Sequence, residues 1–170
     1  AIFLKIKECA NKNVIITDVG SSKLGAIKLS EKILNKDFCF IPGHPIAGTE
    51  ESGPKAGLLD LFKNRWFIIT PGKLTKAKQK KQIEQVWKKF GSKETTMSAQ
   101  SHDNIMAITS HIPHLIAYNI VGTASKLEEK IKSEVIKFSA SGFRDFTRIA
   151  SSDPTMWRDI VISNKNQILF

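Results

Sequence analysis

The stretch NVIITDVGSSKLGAIKLSEKILNKDFCFIPGHPIAG, residues 13–48, decides the fold of the first part of the chain. Its apolar runs VII and FCFI are continuous rather than alternating, which is typical of strands buried on both faces, as in a parallel sheet. Between them, SKLGAIKLSEKILNK spreads leucine and isoleucine along one side of a helix. A strand, a helix and a second strand form a crossover unit whose strands are parallel in nearly all cases.

A turn is expected after each of these strands, DVGSS (18–22) after the first and PGHPIAG (42–48) after the second. The carboxyl ends of parallel strands lie at the same edge of a sheet, and ligands of open α/β folds bind in the crevice there. We therefore expect His44 and Ser21 to face one crevice. Gly43 lets the backbone pass closely, and Pro45 favours an extended conformation at His44, which aims the imidazole outward from the strand end.

The rest of the sequence predicts more α/β alternation and then helices only. A short helix is expected in SGPKAGLLDLF (52–62), a strand in RWFIITP (65–71), a basic helix over 76–90 and a closing strand in KETTMS (93–98). From residue 99 to about residue 132, apolar residues recur every three or four positions, which predicts burial against other helices, within the chain or in a second subunit. Further on, Asp153 as N-cap with Pro154 at the first helical position predicts the start of another helix. The predicted fold class is α/β followed by all-α.

Composition argues against several classes of protein. The 170 residues are 41% hydrophobic, which is ordinary for a globular protein. No apolar run approaches the roughly 20 residues that cross a bilayer, and the first residues lack a signal-peptide pattern, so we expect a cytoplasmic protein with no membrane partner. Cys9 and Cys39 are too few for a disulfide framework, and we expect both to be small buried hydrophobic residues.

Positive charge is plentiful but scattered. The net charge is +10, and the densest basic run, residues 73–89, carries Ile83, Val86 and Trp87 at helical spacing. This pattern predicts an amphipathic helix with a solvated basic face, so we expect no nucleic-acid partner. In contrast, Arg144, Arg148 and Arg158 lie within fifteen residues. They suit bidentate binding of a carboxylate or phosphate, or ion pairs that hold helices together; both interpretations stay open.

Four histidines complete the ionisable groups of interest: His44, His102, His111 and His114. His111 and His114 flank Pro113, so both are expected near one helix face at a kink. No acidic third ligand stands at helical spacing beside them, so we expect no metal; hydrogen-bonded core or cavity-lining groups are the commoner case. The simplest chemistry is acid–base work by His44, with arginine holding an anionic substrate.

Three longer motifs carry a family resemblance. GHPIAGTEESG (43–53), SHDNIMAITSHIPHLIA (101–117) and GFRDFTRIASSDPTMWRDI (142–160) closely resemble motifs of the prephenate and arogenate dehydrogenases, also called cyclohexadienyl dehydrogenases, in the same order. DVGSSK resembles that family's strand-to-helix turn. The resemblance implies that residues 1–98 are the later part of a parallel-sheet, Rossmann-like nucleotide-binding domain. Residues 99–170 would then be part of a helical substrate-binding and dimerisation domain.

The activity that the resemblance implies is the oxidative decarboxylation of prephenate or arogenate in tyrosine biosynthesis, with hydride transfer to NAD or NADP by a homodimer. His44, in its neutral form, would accept or polarise the proton of the substrate's hydroxyl group. Ser21 would orient His44 and, with Gly20, contact the nicotinamide end of the cofactor.

The same resemblance assigns the substrate-binding residues. Arg148 would grip a substrate carboxylate, and His114 would line the same pocket. Thr49, Glu50 and Asp145 would lie at or near its mouth.

One motif of such enzymes does not occur. The sequence has no GxGxxG, and it opens at what the resemblance identifies as the later half of a nucleotide-binding domain. We therefore expect a fragment or truncated product of such an enzyme, which alone binds the cofactor poorly. The alternative is a noncatalytic remnant that binds an aromatic-pathway acid or serves as a dimerisation module.

Overall fold

The structure, a computed structural model, describes residues 2–51, 53 and 56–170. The chain divides into two compact units. The first consists of Ala1–Gly48 and Leu58–Met106, and the second of Thr49–Gly57 and Ala107–Phe170. The second unit thus combines most of the helical part of the sequence with the short segment that follows the GHPIAG motif.

The first unit begins with the predicted crossover. Its elements are α1 (Ile2–Cys9), β1 (Ile15–Thr17), α2 (Leu24–Ile33) and β2 (Cys39–Ile41). Strands β1 and β2 are parallel, with Ile16 opposite Phe40, which confirms the prediction. All three residues of β2 are buried, as its continuous apolar run indicated. Phe40 packs into an apolar cluster with Phe3 of α1.

A second sheet follows, and it differs from the expectation. Its elements are β3 (Gly43–Pro45), β4 (Trp66–Ile69), α3 (Ala77–Lys89) and β5 (Lys93–Thr96). Strand β4 is parallel to β5, but β3 is antiparallel to β4. Residues 43–45 were expected in a turn. Because Pro42 has no amide hydrogen, β2 ends there, yet its carbonyl oxygen still accepts from the Thr70 N–H at 3.0 Å, and the chain continues as β3.

Two smaller expectations, a short helix over residues 52–62 and a buried Cys9, differ from the structure, and part of the first falls outside the described residues. Residues 52, 54 and 55 of the predicted short helix lie outside them, and residues 59–62 form turns instead of a helix. There the backbone makes four-residue turns, such as the one closed by the hydrogen bond from the Leu61 N–H to the Leu58 carbonyl, while Leu59 is fully exposed and has no core to join. Cys9, expected to be buried, is exposed because it ends α1 on the solvent side; Cys39 is buried as expected.

The remainder of the chain is helical, as predicted. Helix α4 (Ala99–Met106) is followed by a π-helical segment (Ala107–His111) and then by five α-helices: α5 (Ile112–Ser125), α6 (Glu129–Lys137), α7 (Ser141–Ala150), α8 (Pro154–Ser163) and α9 (Lys165–Ile168). The π-helical segment ends two residues before Pro113, whose missing N–H disrupts the α-helical bonding pattern. None of the helices in the described part of the chain is both long and apolar enough to span a membrane.

Candidate active site

A buried lysine connects the loop that follows β1 with the start of β3. The side chain of Lys23 is fully buried; its ammonium group donates to the Gly43 carbonyl oxygen at 2.7 Å and pairs with the Asp18 carboxylate. Asp18 in turn accepts a hydrogen bond from the Gly43 N–H at 3.0 Å. Burial lowers the pKa of Lys23, against the opposing effect of Asp18 and Asp103. These contacts hold the start of β3 against the loop that follows β1.

A glycine is required at position 43 because there is no room for a side chain, and not because of its backbone angles. A β-carbon there would overlap the ring of Phe67 and lie 3.3 Å from the carbonyl oxygen of Asp18. The missing side chain lets β3 lie close against the loop after β1. His44, the next residue, pairs with Ile68 in the antiparallel ladder and is half-buried.

The imidazole of His44 contacts a second histidine and, through it, a carboxylate. Its Nδ1 atom lies 2.9 Å from Nε2 of His102, and Nδ1 of His102 lies 2.7 Å from Oδ1 of Asp103. The two imidazole rings meet edge to face, with centroids 5.1 Å apart. His102 and Asp103 are buried, with 0% and 1% of their surface exposed. The first unit therefore contains a His–His–Asp chain that begins at the predicted base.

Asp103 also caps helix α2. Its carboxylate oxygens accept from the N–H of Lys23 at 2.8 Å and from that of Leu24 at 2.9 Å, where the sequence around the helix start supplies no side-chain cap. Burial alone would raise the pKa of Asp103, but the hydrogen bonds from His102 and from these two N–H groups outweigh it and lower the pKa. Asp103 is therefore an ionised carboxylate at neutral pH, held at a helix N-terminus that favours negative charge.

Ser21 and Gly20 lie in the loop between β1 and α2, in the same unit as His44. Ser21 is half-buried, and the Gly20 N–H donates to Asp18 at 3.1 Å. Their assigned contacts with His44 and the nicotinamide stay predictions.

The second unit brings the other predicted residues together. Arg148 of α7 forms an ion pair with Glu50 through Nη1, and its Nε atom lies 3.8 Å from Asp145. A backbone hydrogen bond within Glu50, helped by Arg148 and His114, lowers the pKa of Glu50. The ion-pair interpretation of this arginine is thus seen in the structure, while carboxylate binding stays a prediction. Thr49 is exposed and adjacent in sequence to Glu50.

His114 packs against the side chain of Trp157. Its ring stacks on Trp157, with centroids 3.4 Å apart and planes 16° from parallel, and its Nδ1–H donates to the Ser110 carbonyl at 2.9 Å. Burial, assisted by the charge of Arg148, lowers the pKa of His114 in spite of the opposing effects of Ser110 and Glu50. His114 is therefore neutral near pH 7, with Nε2 as its acceptor atom.

A cavity of about 310 Å³ opens beside this stack. Its wall is mostly apolar and includes His114, Leu115, Tyr118, Trp157, Arg158 and Ile162. A cavity of this size and character is ordinary for a small-molecule site. His114 thus lines a cavity. Its assignment to one pocket with Arg148 stays a prediction.

His111 has a different environment from His114. It is buried, its Nδ1 accepts from the Asn164 amide at 2.9 Å, and its ring lies edge-on to Trp157 at 6.2 Å. Both histidines thus contact one tryptophan and are hydrogen-bonded, His111 in the buried interior and His114 in the wall of the cavity. Among residues 2–51, 53 and 56–170, no group of three or more His, Cys, Asp or Glu side chains is placed to hold a metal ion.

Four residues of these sites were given no role from the sequence: Lys23, His102, Asp103 and Trp157. The adjacent pair His102–Asp103 was a usable signal, because an ionised carboxylate can orient an imidazole by accepting a hydrogen bond from its ring N–H. The contacts of this pair with His44 and α2 join residues 58 and 80 positions apart, so no local pattern revealed them.

Comparison with known proteins identifies the family. Residues 2–96 match the family model of the prephenate dehydrogenase nucleotide-binding domain, and residues 98–169 match that of the prephenate dehydrogenase dimerization domain. The chain belongs to the prephenate dehydrogenase family. This membership confirms the predicted fold class of a Rossmann-like α/β domain followed by a helical domain.

Individual members of the prephenate dehydrogenase family agree with this assignment. The chain is 41% identical to the cyclohexadienyl dehydrogenase of Zymomonas mobilis, over 93% of this chain and 54% of that protein. It is 39% identical to the prephenate dehydrogenase of Bacillus subtilis, over 92% of this chain and 42% of that protein. The chain thus spans about half the length of the curated relatives it matches.

A solved member of the family has the same fold. The crystal structure of prephenate dehydrogenase from Aquifex aeolicus in complex with hydroxyphenyl propionate and NAD+ superimposes with a TM-score of 0.88 at 38% identity. The match covers 99% of this chain and 58% of that one.

Proposed function

We propose that this chain supplies the proton-accepting and carboxylate-binding residues of a prephenate or arogenate dehydrogenase that uses NAD or NADP. The observation that carries the proposal is the His44–His102–Asp103 chain, since an imidazole backed by a buried carboxylate is suited to accept a proton at neutral pH. Family membership and the Aquifex aeolicus complex support the choice of substrate and cofactor.

In the proposed reaction His44 removes the proton from the ring hydroxyl of the substrate. Carbon dioxide leaves the opposite ring carbon, and the electrons of the broken C–C bond enter the ring, which becomes aromatic. Aromatisation supplies the driving force, so the residues mainly orient the substrate, accept the proton and hold anionic groups. Arg148 binds a substrate carboxylate through its planar fork, and it keeps donors for this while it is paired with Glu50.

The nicotinamide cofactor, when bound, accepts the hydride from the carbon that bears the hydroxyl group. The residues of this chain fit one end of it. Gly20 and Ser21 lie in the loop after β1, at the edge where ligands of parallel sheets bind, and Gly20 is exposed. We propose that this loop receives the nicotinamide end. The sequence contains no GxGxxG for the pyrophosphate.

We further propose that the protein works in the cytoplasm as a homodimer. The match to a dimerization domain supports the homodimer, and so do large exposed apolar side chains in the second unit, such as Ile108, Ile136 and Phe138, which are 64% to 75% exposed. Side chains of this kind are expected to be covered by another surface.

The direct test is the formation of NADH or NADPH from prephenate and from arogenate. It should be run on this chain and on a chimera that adds the preceding part of the nucleotide-binding domain of the Zymomonas mobilis relative. We expect turnover by the chimera with one of the two acids, and weak or no cofactor binding by the 170 residues alone. Binding of hydroxyphenyl propionate without any turnover by the chimera would instead favour the noncatalytic remnant.

A further inference from the structure

We propose that Asp103 and His102 act as positioning residues that fix the tautomer of His44, placing its hydrogen on Nδ1 and making Nε2 the proton-accepting atom. The inference rests on the proposed function only where it says that Nε2 of His44 accepts the proton of the substrate. The tautomer itself is a property of this chain and can be measured without catalysis.

The argument starts at helix α2. The N–H groups of Lys23 and Leu24 can only donate, and both point at the Asp103 carboxylate, at 2.8 and 2.9 Å. An ionised carboxylate has only acceptor atoms. The nitrogen of His102 that lies 2.7 Å from Asp103, Nδ1, must therefore carry a hydrogen and donate it. Helix α2 thus sets the hydrogen position on His102.

The next contact carries this constraint to His44. A neutral imidazole has one N–H donor and one bare acceptor nitrogen, so donation from Nδ1 leaves Nε2 of His102 as an acceptor. That atom lies 2.9 Å from Nδ1 of His44. Two bare nitrogens at this distance would repel, so His44 must place its hydrogen on Nδ1. Its other nitrogen, Nε2, then holds the lone pair.

The same chain explains where the proton rests after transfer. When Nε2 of His44 takes up a proton, the positive imidazolium faces His102, which is backed by the negative Asp103. His102 and Asp103 are both buried, so water weakens little the attraction between the imidazolium and the Asp103 carboxylate. Asp103 does not take the proton, because the α2 N–H groups stabilise its charged form. The proton stays on His44, from which solvent or product can remove it.

The decisive measurement is a long-range nitrogen–proton NMR spectrum of the ¹⁵N-labelled chain at a pH where its histidines are neutral. We expect His44 to show a protonated Nδ1 and a bare Nε2. A protonated Nε2 on His44 in the unmodified chain would overturn the proposal at once, whatever the variants do.

Two variants of His102 separate the proposal from a packing role. His102→Gln can keep an acceptor oxygen near the position of Nε2, so His44 should keep its hydrogen on Nδ1. His102→Leu fills similar space without an acceptor, so the Nε2-protonated form should appear. Asn104→Ala, an exposed change on α4, is the control and should leave the His44 signals unchanged. An unaltered His44 spectrum in folded His102→Leu would also refute the idea.

A kinetic arm uses the chimera described above. His102→Leu should lower kcat about tenfold or more with KM changed little, and His102→Gln should recover most of the loss, because only the acceptor differs. Equal losses in both variants would contradict the proposal. If the unmodified chimera has no turnover, the proposed function fails, but the NMR result still decides the tautomer.

Discussion

The ammonium group of Lys23 lies 2.7 Å from the carbonyl oxygen of Gly43, the residue directly before His44. The backbone N–H of the same lysine donates to Asp103, which holds His102 against the imidazole of His44. One buried residue therefore holds the proposed base from two sides. Its side chain fixes the backbone of β3, and its main chain fixes the carboxylate at the far end of the His–His–Asp chain.

Replacement of this lysine should destabilise the first unit. Lys23→Met keeps the length of the side chain but leaves the Gly43 carbonyl without its donor and Asp18 without its partner. We expect the free energy of unfolding to fall by about 3 kcal/mol, the scale for breaking a buried ion pair from one side. Urea denaturation measures the change. Lys28→Met, an exposed position on α2, is the control; equal stability of the two variants would contradict the assignment.

The acid sensitivity of the first unit should depend on Asp103. Its pKa is lower in the folded protein than the ordinary 3.8, because hydrogen bonds outweigh the cost of burial. Its ionised form therefore stabilises the fold above pH 3.8, and this contribution is lost as the pH falls through the folded pKa. Asp103→Asn should have a lower free energy of unfolding than the unmodified chain at neutral pH. The difference between the two free energies should become smaller as the pH falls. Denaturation at several pH values tests this, with the exposed Asp60→Asn as the control.

The pKa of His114 should be measurably low. Burial against Trp157 favours the neutral ring, so the NMR titration midpoint should lie below 6.5. Because the folded pKa is lowered, the contribution of this group to stability is full above pH 6.5 and declines as the pH falls from 6.5 to the folded pKa. Trp157→Leu should move the midpoint back towards 6.5 by admitting water. A midpoint at or above 6.5 in the unmodified chain would exclude this description.

Arg148→Lys distinguishes substrate binding from a structural ion pair. A lysine keeps the positive charge but cannot form the bidentate contact, so in the active chimera KM for the substrate should rise about tenfold with kcat little changed. Arg144→Lys, on the same helix and without an assigned role, should leave KM unchanged. If Arg148→Lys keeps a normal KM and only lowers the melting temperature, the pair with Glu50 is its whole role.

His44→Asn tests the proposed base. The amide is similar in shape but cannot accept a proton usefully at neutral pH, so turnover by the chimera should fall about a hundredfold or more, the usual scale for losing a general base. Substrate binding should be largely kept, which isothermal titration with hydroxyphenyl propionate can check. A near-normal rate would remove His44 from the mechanism.

The sequence alone determined those features that depend on near neighbours. The apolar runs of β1 and β2 predicted a parallel crossover because strands buried on both faces must be apolar throughout. Asp153 followed by Pro154 predicted the start of α8, and its carboxylate does accept from the N–H groups of Thr155 and Met156. Long motifs indicated the family, and the family models confirm it.

Tertiary structure decided what distant residues contribute. Strand β3 forms because β4, more than twenty residues later, offers an antiparallel edge, so the sequence suggested only a turn there. The cap of α2 comes from Asp103, 80 positions from the Lys23 N–H that it binds. Hydrogen bonds are local in space but not along the chain. A sequence pattern therefore reveals Asp153 as the cap of the helix that it directly precedes, but it does not reveal Asp103 as the carboxylate that orients His44 through His102.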